Sequence, residues 1–155
     1  AGPIGPAGPG TTRLLDAKDR PLGSVVGASG FGVDIVTSTG HLVSLGWNGT
    51  IVSGRIVFEG DKCTGDAYLE SGGASAPPIF AGRVVYSAAL GSLMTPTGAG
   101  DDGLVRNSPS VNAASIGAPR CTDTSEELSG YPLASTTPDA VGLPEYPPAT
   151  PLAFG

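Results

Sequence analysis

Few residues of this chain have side chains suited to catalysis, and they are scattered. His41 is the single histidine and follows a glycine in the stretch TSTGHLVSL. A histidine beside a hydroxyl and a carboxylate can serve as the base of a hydrolase, but the strand–GxSxG–helix setting of such a nucleophile is missing. The glycines of GASGFG at 27–32 have the wrong spacing for dinucleotide binding and indicate a connection between strands. We therefore expect a surface turn at His41 and no enzymatic activity.

Two other stretches offer groups that bind ligands. Asp101 and Asp102 in GAGDDGL supply the carboxylate oxygens that Ca²⁺ prefers, but without the spacing of an EF-hand, so an ordinary turn is favoured and we expect no cofactor. Trp47 and Asn48 are possible glycan contacts, since an indole can stack on a sugar ring. A lone tryptophan more often closes the edge of a core, and Asn48-Gly49 is typical of a hairpin turn.

The chain contains two cysteines, Cys63 in DKCTGD and Cys121 in PRCTDT. Both lie among polar, turn-forming residues, which favours a disulfide in an exported protein over two buried thiols. A disulfide that closes the loop between Cys63 and Cys121 would stabilise the fold by up to about 4 kcal/mol on the chain-entropy account. Metal binding would need further soft ligands, so we expect no metal at this pair.

The first ten residues, AGPIGPAGPG, form a collagen-like repeat. Only glycine fits where the three chains of a collagen helix pass their common axis, and proline after each glycine favours the required backbone angle. A flexible Gly/Pro-rich linker is the alternative. We expect a parallel homotrimer. Three triplets alone are too few to hold a triple helix, so either a folded domain clamps the chains in register or a longer stalk lies upstream. The residues concerned are Gly2, Gly5, Gly8, Pro3, Pro6 and Pro9.

The composition of the 155 residues limits the classes of partner. Charged residues make up only 14%, hydrophobic residues 39%, and the net charge is −6. No basic stripe is present, so we expect no nucleic-acid binding. No apolar run has the length of a membrane-spanning helix, so we expect no membrane insertion. Low charge suits an extracellular protein, or a surface that meets other subunits.

Strand patterns are frequent and helix patterns nearly absent. Short apolar or alternating runs are separated by Gly-, Pro- and Asn-containing turns, which predicts an all-β chain: an antiparallel meander forming a β-sandwich or barrel. The hairpin partners we expect are TTRLLDA with LGSVVGA, FGVDIVTST with HLVSLGW, and TIVSGRIVFEG after Asn48-Gly49. In the strand expected at 51–59, alternation places Val52, Gly54, Ile56 and Phe58 toward the core.

The expected organisation is a collagen-like segment at 1–10 and a β head at 11–155. Within the head we expect a meander over about 11–93 and extended, Pro-rich segments over about 94–155. Apolar residues spaced through these segments suggest that they dock on the meander. They are Val111, Ile116, Tyr131, Leu133, Val141, Leu143, Tyr146, Leu152 and Phe154.

A collagen-like run followed by LLDAKDRPLGSVVG and FEGDKCTGDAYLE resembles the C-terminal β heads of bacterial or phage collagen-like surface proteins. The resemblance covers roughly residues 1–90. Its most specific part is an aromatic–acid pair, a Cys-Thr-Gly and a following aromatic. Here these are Phe58, Glu59, Cys63, Thr64, Gly65 and Tyr68. The resemblance implies a β domain on a triple-helical stalk, exposed outside the cell, on the cell surface or on a virion. It brings no catalytic residues.

Three functions follow as expectations. The first is a non-enzymatic structural and adhesive protein, in which a trimeric β head registers a collagen helix and assembles a surface fibre or attaches to a surface protein. The second is a phage tail-fibre or decoration protein that binds a host glycan. The third is a hydrolase acting on polysaccharide, and replacement of His41 would test it.

Overall fold

The computed structural model describes residues 12–52, 56–60, 63–70, 82–97, 103–106, 109–111, 121–123 and 127–155. For the strands between residues 103 and 129 the description covers the backbone. The chain divides into two compact units. The first unit comprises Ala1–Ile51 with Pro138–Gly155, and the second comprises Val52–Thr137.

The described elements are mainly short antiparallel strands, with a 3-10 turn at Asp139–Val141. In chain order the strands are β1 Arg13–Leu15, β2 Pro21–Ala28, β3 Gly32–Val36, β4 Leu42–Gly46, β5 Ile56–Phe58, β6 Ala67–Glu70, β7 Val85–Ser87, β8 Ser92–Pro96, β9 Gly103–Arg106, β10 Pro109–Val111, β11 Cys121–Asp123, β12 Glu127–Thr136 and β13 Ala153–Phe154. The expected all-β, antiparallel chain is confirmed.

The first unit is built on a five-stranded antiparallel sheet in the order β13-β1-β2-β3-β4. Its strands alternate in burial as a sheet with one covered face requires. In β3, for example, Val33 and Ile35 are buried on either side of the exposed Asp34. The expected hairpins β1–β2 and β3–β4 are confirmed by their pairing registers.

Three tight turns of the first unit share one hydrogen-bond pattern. In each, the amide of the first residue donates to the carbonyl of the fifth, and the amide of the fourth donates to the carbonyl of the first. The fourth residue has a positive φ, which is the three-residue loop with a left-handed residue that joins antiparallel strands. The three turns are 16–20, 37–41 and 46–50, with Asp19, Gly40 and Gly49 in the left-handed position.

The end of the chain packs on the first unit. Val141 and Leu143 are buried, the hydroxyl of Tyr146 accepts a hydrogen bond from the amide of Ile51 at 2.9 Å, and β13 pairs with β1. Residues 138–155 thus belong to the first unit and contribute to its core and its sheet. Val111 and Ile116 lie outside the described side chains.

The second unit is built on an eight-stranded sheet in the order β11-β10-β5-β6-β12-β8-β7, with β9 also pairing β12. The long strand β12 organises it, since its first half pairs with β9 and its second half with β8. Pro132 stands where these partners change, next to Leu133, the first residue paired with β8. Proline has no amide to donate, so a change of partner is a position that tolerates it.

The core of the second unit contains Ile56 and Phe58, as the alternation predicted. The prediction that Val52 shares their inward face is wrong, because its side chain is 50% exposed while Ile51 is 5% exposed. Within the strand expected at 51–59, the structure describes a bridge between Leu45 and Ile51 and the strand β5 at Ile56–Phe58, and residues 53–55 lie outside the described residues.

The structure shows two antiparallel sheets, which is a coarser description than the predicted sandwich or barrel. The boundary expected near residue 93 falls inside the second unit, whose sheet takes strands from both sides of it. The collagen-like segment at 1–10 lies outside the described residues.

Candidate functional site at the start of the first strand

The chain enters the first unit at Thr12 and Arg13, directly after the collagen-like repeat. The carbonyl of Thr12 accepts a hydrogen bond from the amide of Val25 at 2.8 Å. On the other side, Arg13 and Gly155 exchange two backbone hydrogen bonds, at 3.2 and 3.0 Å. The first described residues are therefore held from both sides by β2 and by the end of the chain.

Large apolar side chains are exposed on both strands that flank this entry point. Phe154 lies opposite Leu14 in the β13–β1 pair and is 52% exposed. Val26 follows Val25 in β2 and is 61% exposed. Val26 sits where the β2–β3 register shifts between Val25 and Gly27, and a β-bulge of this kind redirects a side chain.

Two further aromatic residues continue this set through direct contacts. The half-buried ring of Trp47 meets Phe154 edge to face, with centroids 5.7 Å apart. The indole nitrogen of Trp47 donates to the carbonyl of Ser29 at 2.8 Å, in the turn between β2 and β3. Phe31 in the same turn is 92% exposed, although its amide is held by the Ser29 hydroxyl at 3.1 Å. The backbone of Phe31 is thus held in place while its phenyl ring is exposed.

We call Val26, Phe31, Trp47 and Phe154 the junction surface. The stretches that supply it, 21–33, 42–54 and 146–155, contain no charged residue. Exposed apolar side chains grouped in this way, without charges among them, are typical of surfaces that contact another macromolecule.

The turn between β1 and β2 is, by contrast, strongly ionic. The buried Asp16 carboxylate accepts hydrogen bonds at 2.9 Å from the amides of Lys18 and Arg20, and at 2.8 Å from the Arg20 Nε. Arg20 also donates to Glu145, and Lys18 lies 3.4 Å from the same carboxylate. This network fastens the segment after the 3-10 turn to the first hairpin.

The pKa values in this network move in the direction that strengthens it. Burial alone would raise the pKa of Asp16, but the hydrogen bonds from the Arg20 and Lys18 amides and from the Arg20 side chain outweigh it and lower that pKa. Hydrogen bonds from Arg20, then Lys18, lower the pKa of Glu145. The hydrogen bond to Glu145 raises the pKa of Arg20. Both carboxylates are therefore ionised at neutral pH.

His41 closes the turn between β3 and β4, as expected. Its Nδ1 lies 2.8 Å from the Thr39 hydroxyl, which is 3.0 Å from the Thr37 hydroxyl, and its amide donates to Thr37 Oγ1 at 3.2 Å. The hydroxyl–imidazole pair resembles half of a catalytic triad. No carboxylate among the described residues hydrogen-bonds to His41, so the pair lacks the third group that orients the base.

The polar groups of the predicted sugar site are used within the turn at 46–50. Asn48 Oδ1 accepts from the Thr50 amide at 3.1 Å and from its hydroxyl at 2.7 Å, and the Trp47 indole donates to Ser29. The predicted hairpin turn is present, but it is a three-residue loop rather than a two-residue one. Trp47 is half-buried, and its indole N–H is used by the carbonyl of Ser29.

The remaining predicted site residues fall elsewhere. Cys63 is disulfide-bonded and 8% exposed in the core of the second unit. The chain's other cysteine, Cys121, begins β11. Asp101 and Asp102 lie outside the described residues. The residues 27–32 connect two strands, as predicted: they span the end of β2, the turn at 29–31 and the first residue of β3.

Other possible sites are sparse in the described part of the chain. A cleft of about 270 Å³ is lined by Arg13, Gly142 and residues of β2 and β3, and no pair of catalytic groups faces it. Among the described residues, no group of three or more His, Cys, Asp and Glu side chains could hold a metal ion. No helix among those residues is long and apolar enough to cross a membrane.

Sequence reasoning identified Trp47 but missed Val26, Phe31 and Phe154 as a group. Phe31 carried a usable signal, since a large aromatic between two glycines in a turn has little around it to bury it. Val26 carried none, because it is an apolar residue within an apolar strand pattern. No family model, no curated protein and no solved structure matches this chain.

Proposed function

We propose that this protein is a non-enzymatic extracellular structural and adhesive protein. Its β units form the head of a homotrimer, and residues 1–10 form the end of a collagen-like triple helix. The observation that carries the proposal is the placement of the repeat. Its last residue, Gly10, is separated from β1 by Thr11 and Thr12 alone.

Such a short connection lets a folded head act as a clamp. Three triplets cannot hold a triple helix, because too few interchain contacts offset the ordering of three chains. β1 is paired on both sides, by β13 and β2, so its first residue is a rigid attachment point. Three such points held together would fix the relative register of the three repeats.

The proposal extends to the finer fold and to the location. We propose that the first unit closes toward a barrel or sandwich, which the contact of Trp47 with Phe154 supports. The disulfide at Cys63 supports an oxidising compartment outside the cell, on its surface or on a virion. The adhesive function rests on exposed apolar side chains, which suit protein contacts in a fibre or on a surface protein.

The proposal is tested by the native mass of the full chain across a dilution series. We expect three times the chain mass of 15.3 kDa, with a polyproline-type circular dichroism signal that melts separately from the sheets. Gly5→Ala adds a methyl group at the helix axis and should weaken the trimer. Ile4→Ala, which changes a side chain pointing away from the axis, is the matched control. A monomer at every concentration, with the repeat intact, would refute the proposal.

A further inference from the structure

We propose that the junction surface is where the three copies of this chain pack against one another beside the triple helix. The inference rests on the proposed function and goes further, because it names the partner of Val26, Phe31, Trp47 and Phe154 as the same surface of a second and a third copy. A surface that meets its own copies around a three-fold axis is closed and does not polymerise.

The first argument is distance along the chain. From Gly10 to Arg13 there are three Cα steps, which span at most about 11 Å when fully extended. The three chains of a triple helix leave it side by side, since each passes the same axis. The three copies of β1 must therefore begin close to that axis, and whatever lies beside Arg13 lies beside the neighbouring copies.

The second argument is what lies beside Arg13. Phe154 precedes Gly155, which pairs with Arg13, and Val26 follows Val25, whose amide bonds to Thr12. Trp47 contacts Phe154 and also the turn that carries Phe31. Each member of the junction surface is thus linked to the entry point by a described contact or by adjacency in the chain.

The third argument is chemistry. Three identical surfaces brought together place like charges near one another, so a surface rich in Lys or Glu would oppose a trimer. The junction surface is drawn from uncharged stretches, with Arg13 as a charged residue beside it, and contains three aromatic rings, which are enriched at the centres of protein interfaces. The ionic turn formed by Asp16, Lys18 and Arg20 follows the other end of β1 and pairs its charges within the chain.

The chain provides its own probe, since Trp47 is the single tryptophan. Burial of the junction surface in a trimer should shield the indole from acrylamide and shift its emission to shorter wavelength. The experiment follows quenching and native mass together, in the full chain, across a dilution series. Both signals should change over the same concentration range.

The test variant is the double substitution Val26→Ser and Phe31→Ser. Both side chains are exposed in the single chain, so its fold should survive, and an unchanged far-ultraviolet circular dichroism spectrum checks this. Leu90→Ser, at a residue 51% exposed in the second unit, is the matched control. We expect the double variant to weaken trimer association by about tenfold or more and the control to leave it unchanged.

The outcomes separate this inference from the proposed function. A trimer whose Trp47 is as accessible as in the dissociated chain, and whose affinity the double variant does not change, overturns the inference while the triple helix stands. A chain that is monomeric at every concentration overturns the proposed function and this inference with it. Tenfold weakening confined to the double variant supports both.

Discussion

The ring of Trp47 meets that of Phe154 edge to face at 5.7 Å, although the two residues belong to opposite edges of one sheet. Trp47 follows β4, at one edge of the order β13-β1-β2-β3-β4, and Phe154 lies in β13, at the other. A flat five-stranded sheet would hold its edge strands nearly 20 Å apart. The sheet of the first unit is therefore strongly curled, and the end of the chain is what brings its edges together.

Phe154→Ala should lower the stability of the first unit by about 1 kcal/mol, the value of an aromatic pair beyond its buried area. The measurement is urea unfolding followed by Trp47 fluorescence, in a Gly5→Ala background so that self-association does not contribute. Leu90→Ala removes a side chain of similar exposure without an aromatic partner and should change stability far less. Equal effects of the two substitutions would show that the ring contact contributes nothing.

Asp16 holds the first turn together through its carboxylate. Asp16→Ala should destabilise the chain by about 1–3 kcal/mol, because the amides of Lys18 and Arg20 lose their acceptor. Asp16→Asn keeps an Oδ1 acceptor for both amides and should cost less. Thermal unfolding at neutral pH measures both variants. If Asn were as harmful as Ala, the charge pairing with Arg20, rather than the capping, would be what matters.

The same network makes stability depend on acid. The ordinary pKa values are 3.8 for Asp16 and 4.5 for Glu145, and folding lowers both. The unfolded chain therefore binds protons first as the pH falls, so stability is fully present above about pH 5 and declines as the pH drops through the unfolded and then the folded pKa values. Asp16→Asn with Glu145→Gln should flatten this decline. Unfolding midpoints recorded from about pH 7 to about pH 3 check it, and parallel curves for the two proteins would contradict it.

Much of the first unit follows from local sequence patterns. The turn residues of 37–41 and 46–50 and the alternation in β3 and β4 are local signals, and the structure has strands and turns where these signals occur. The contribution of β13 was less visible. A two-residue strand has no periodicity of its own, and its pairing with β1 depends on residues more than a hundred positions away.

The junction surface shows a different limit. In sequence Val26 belongs to an apolar strand pattern, but in the structure it is exposed in alternation with Ser24 and Ala28, at the shift of the β2–β3 register. Such a shift follows from how two strands accommodate their twist, which no single strand encodes. Phe31 and Phe154 become a group only because the sheet curls. Strands joined by a hairpin could be paired from sequence, but contacts between the edges of the sheet could not.

Gly30 and Gly32, at the turn between β2 and β3, differ in the space that a side chain would have. A Cβ on Gly32 would lie 2.2 Å from the carbonyl oxygen of Leu45, in backbone that cannot move without breaking the β3–β4 pair. Gly32→Ala should therefore destabilise the first unit by about 1–3 kcal/mol. A Cβ on Gly30 meets nothing within 4 Å, so Gly30→Ala should be neutral or stabilise by up to about 1 kcal/mol. Denaturant unfolding of the two variants measures both changes in stability. If Gly32→Ala unfolded at the same denaturant concentration as the unchanged chain, β3 and β4 would be able to separate locally.

The disulfide at Cys63 should contribute to the stability of the second unit. Cys63 packs with Ile56, Phe58 and Leu69 in that unit's core, so the bond ties a buried position to a distant part of the chain. Reduction should lower the free energy of unfolding by up to about 4 kcal/mol, mainly by freeing the unfolded chain.

Scanning calorimetry with and without reductant measures this loss, and mass after alkylation shows whether the bond was broken. A variant with Cys63→Ser and Cys121→Ser is the control, because reductant should not change its transition. Trp47 lies in the first unit, so its fluorescence reports whether that unit unfolds at the same temperature. An unchanged transition in protein shown to be fully reduced would mean that the core, and not the covalent bond, holds this region together.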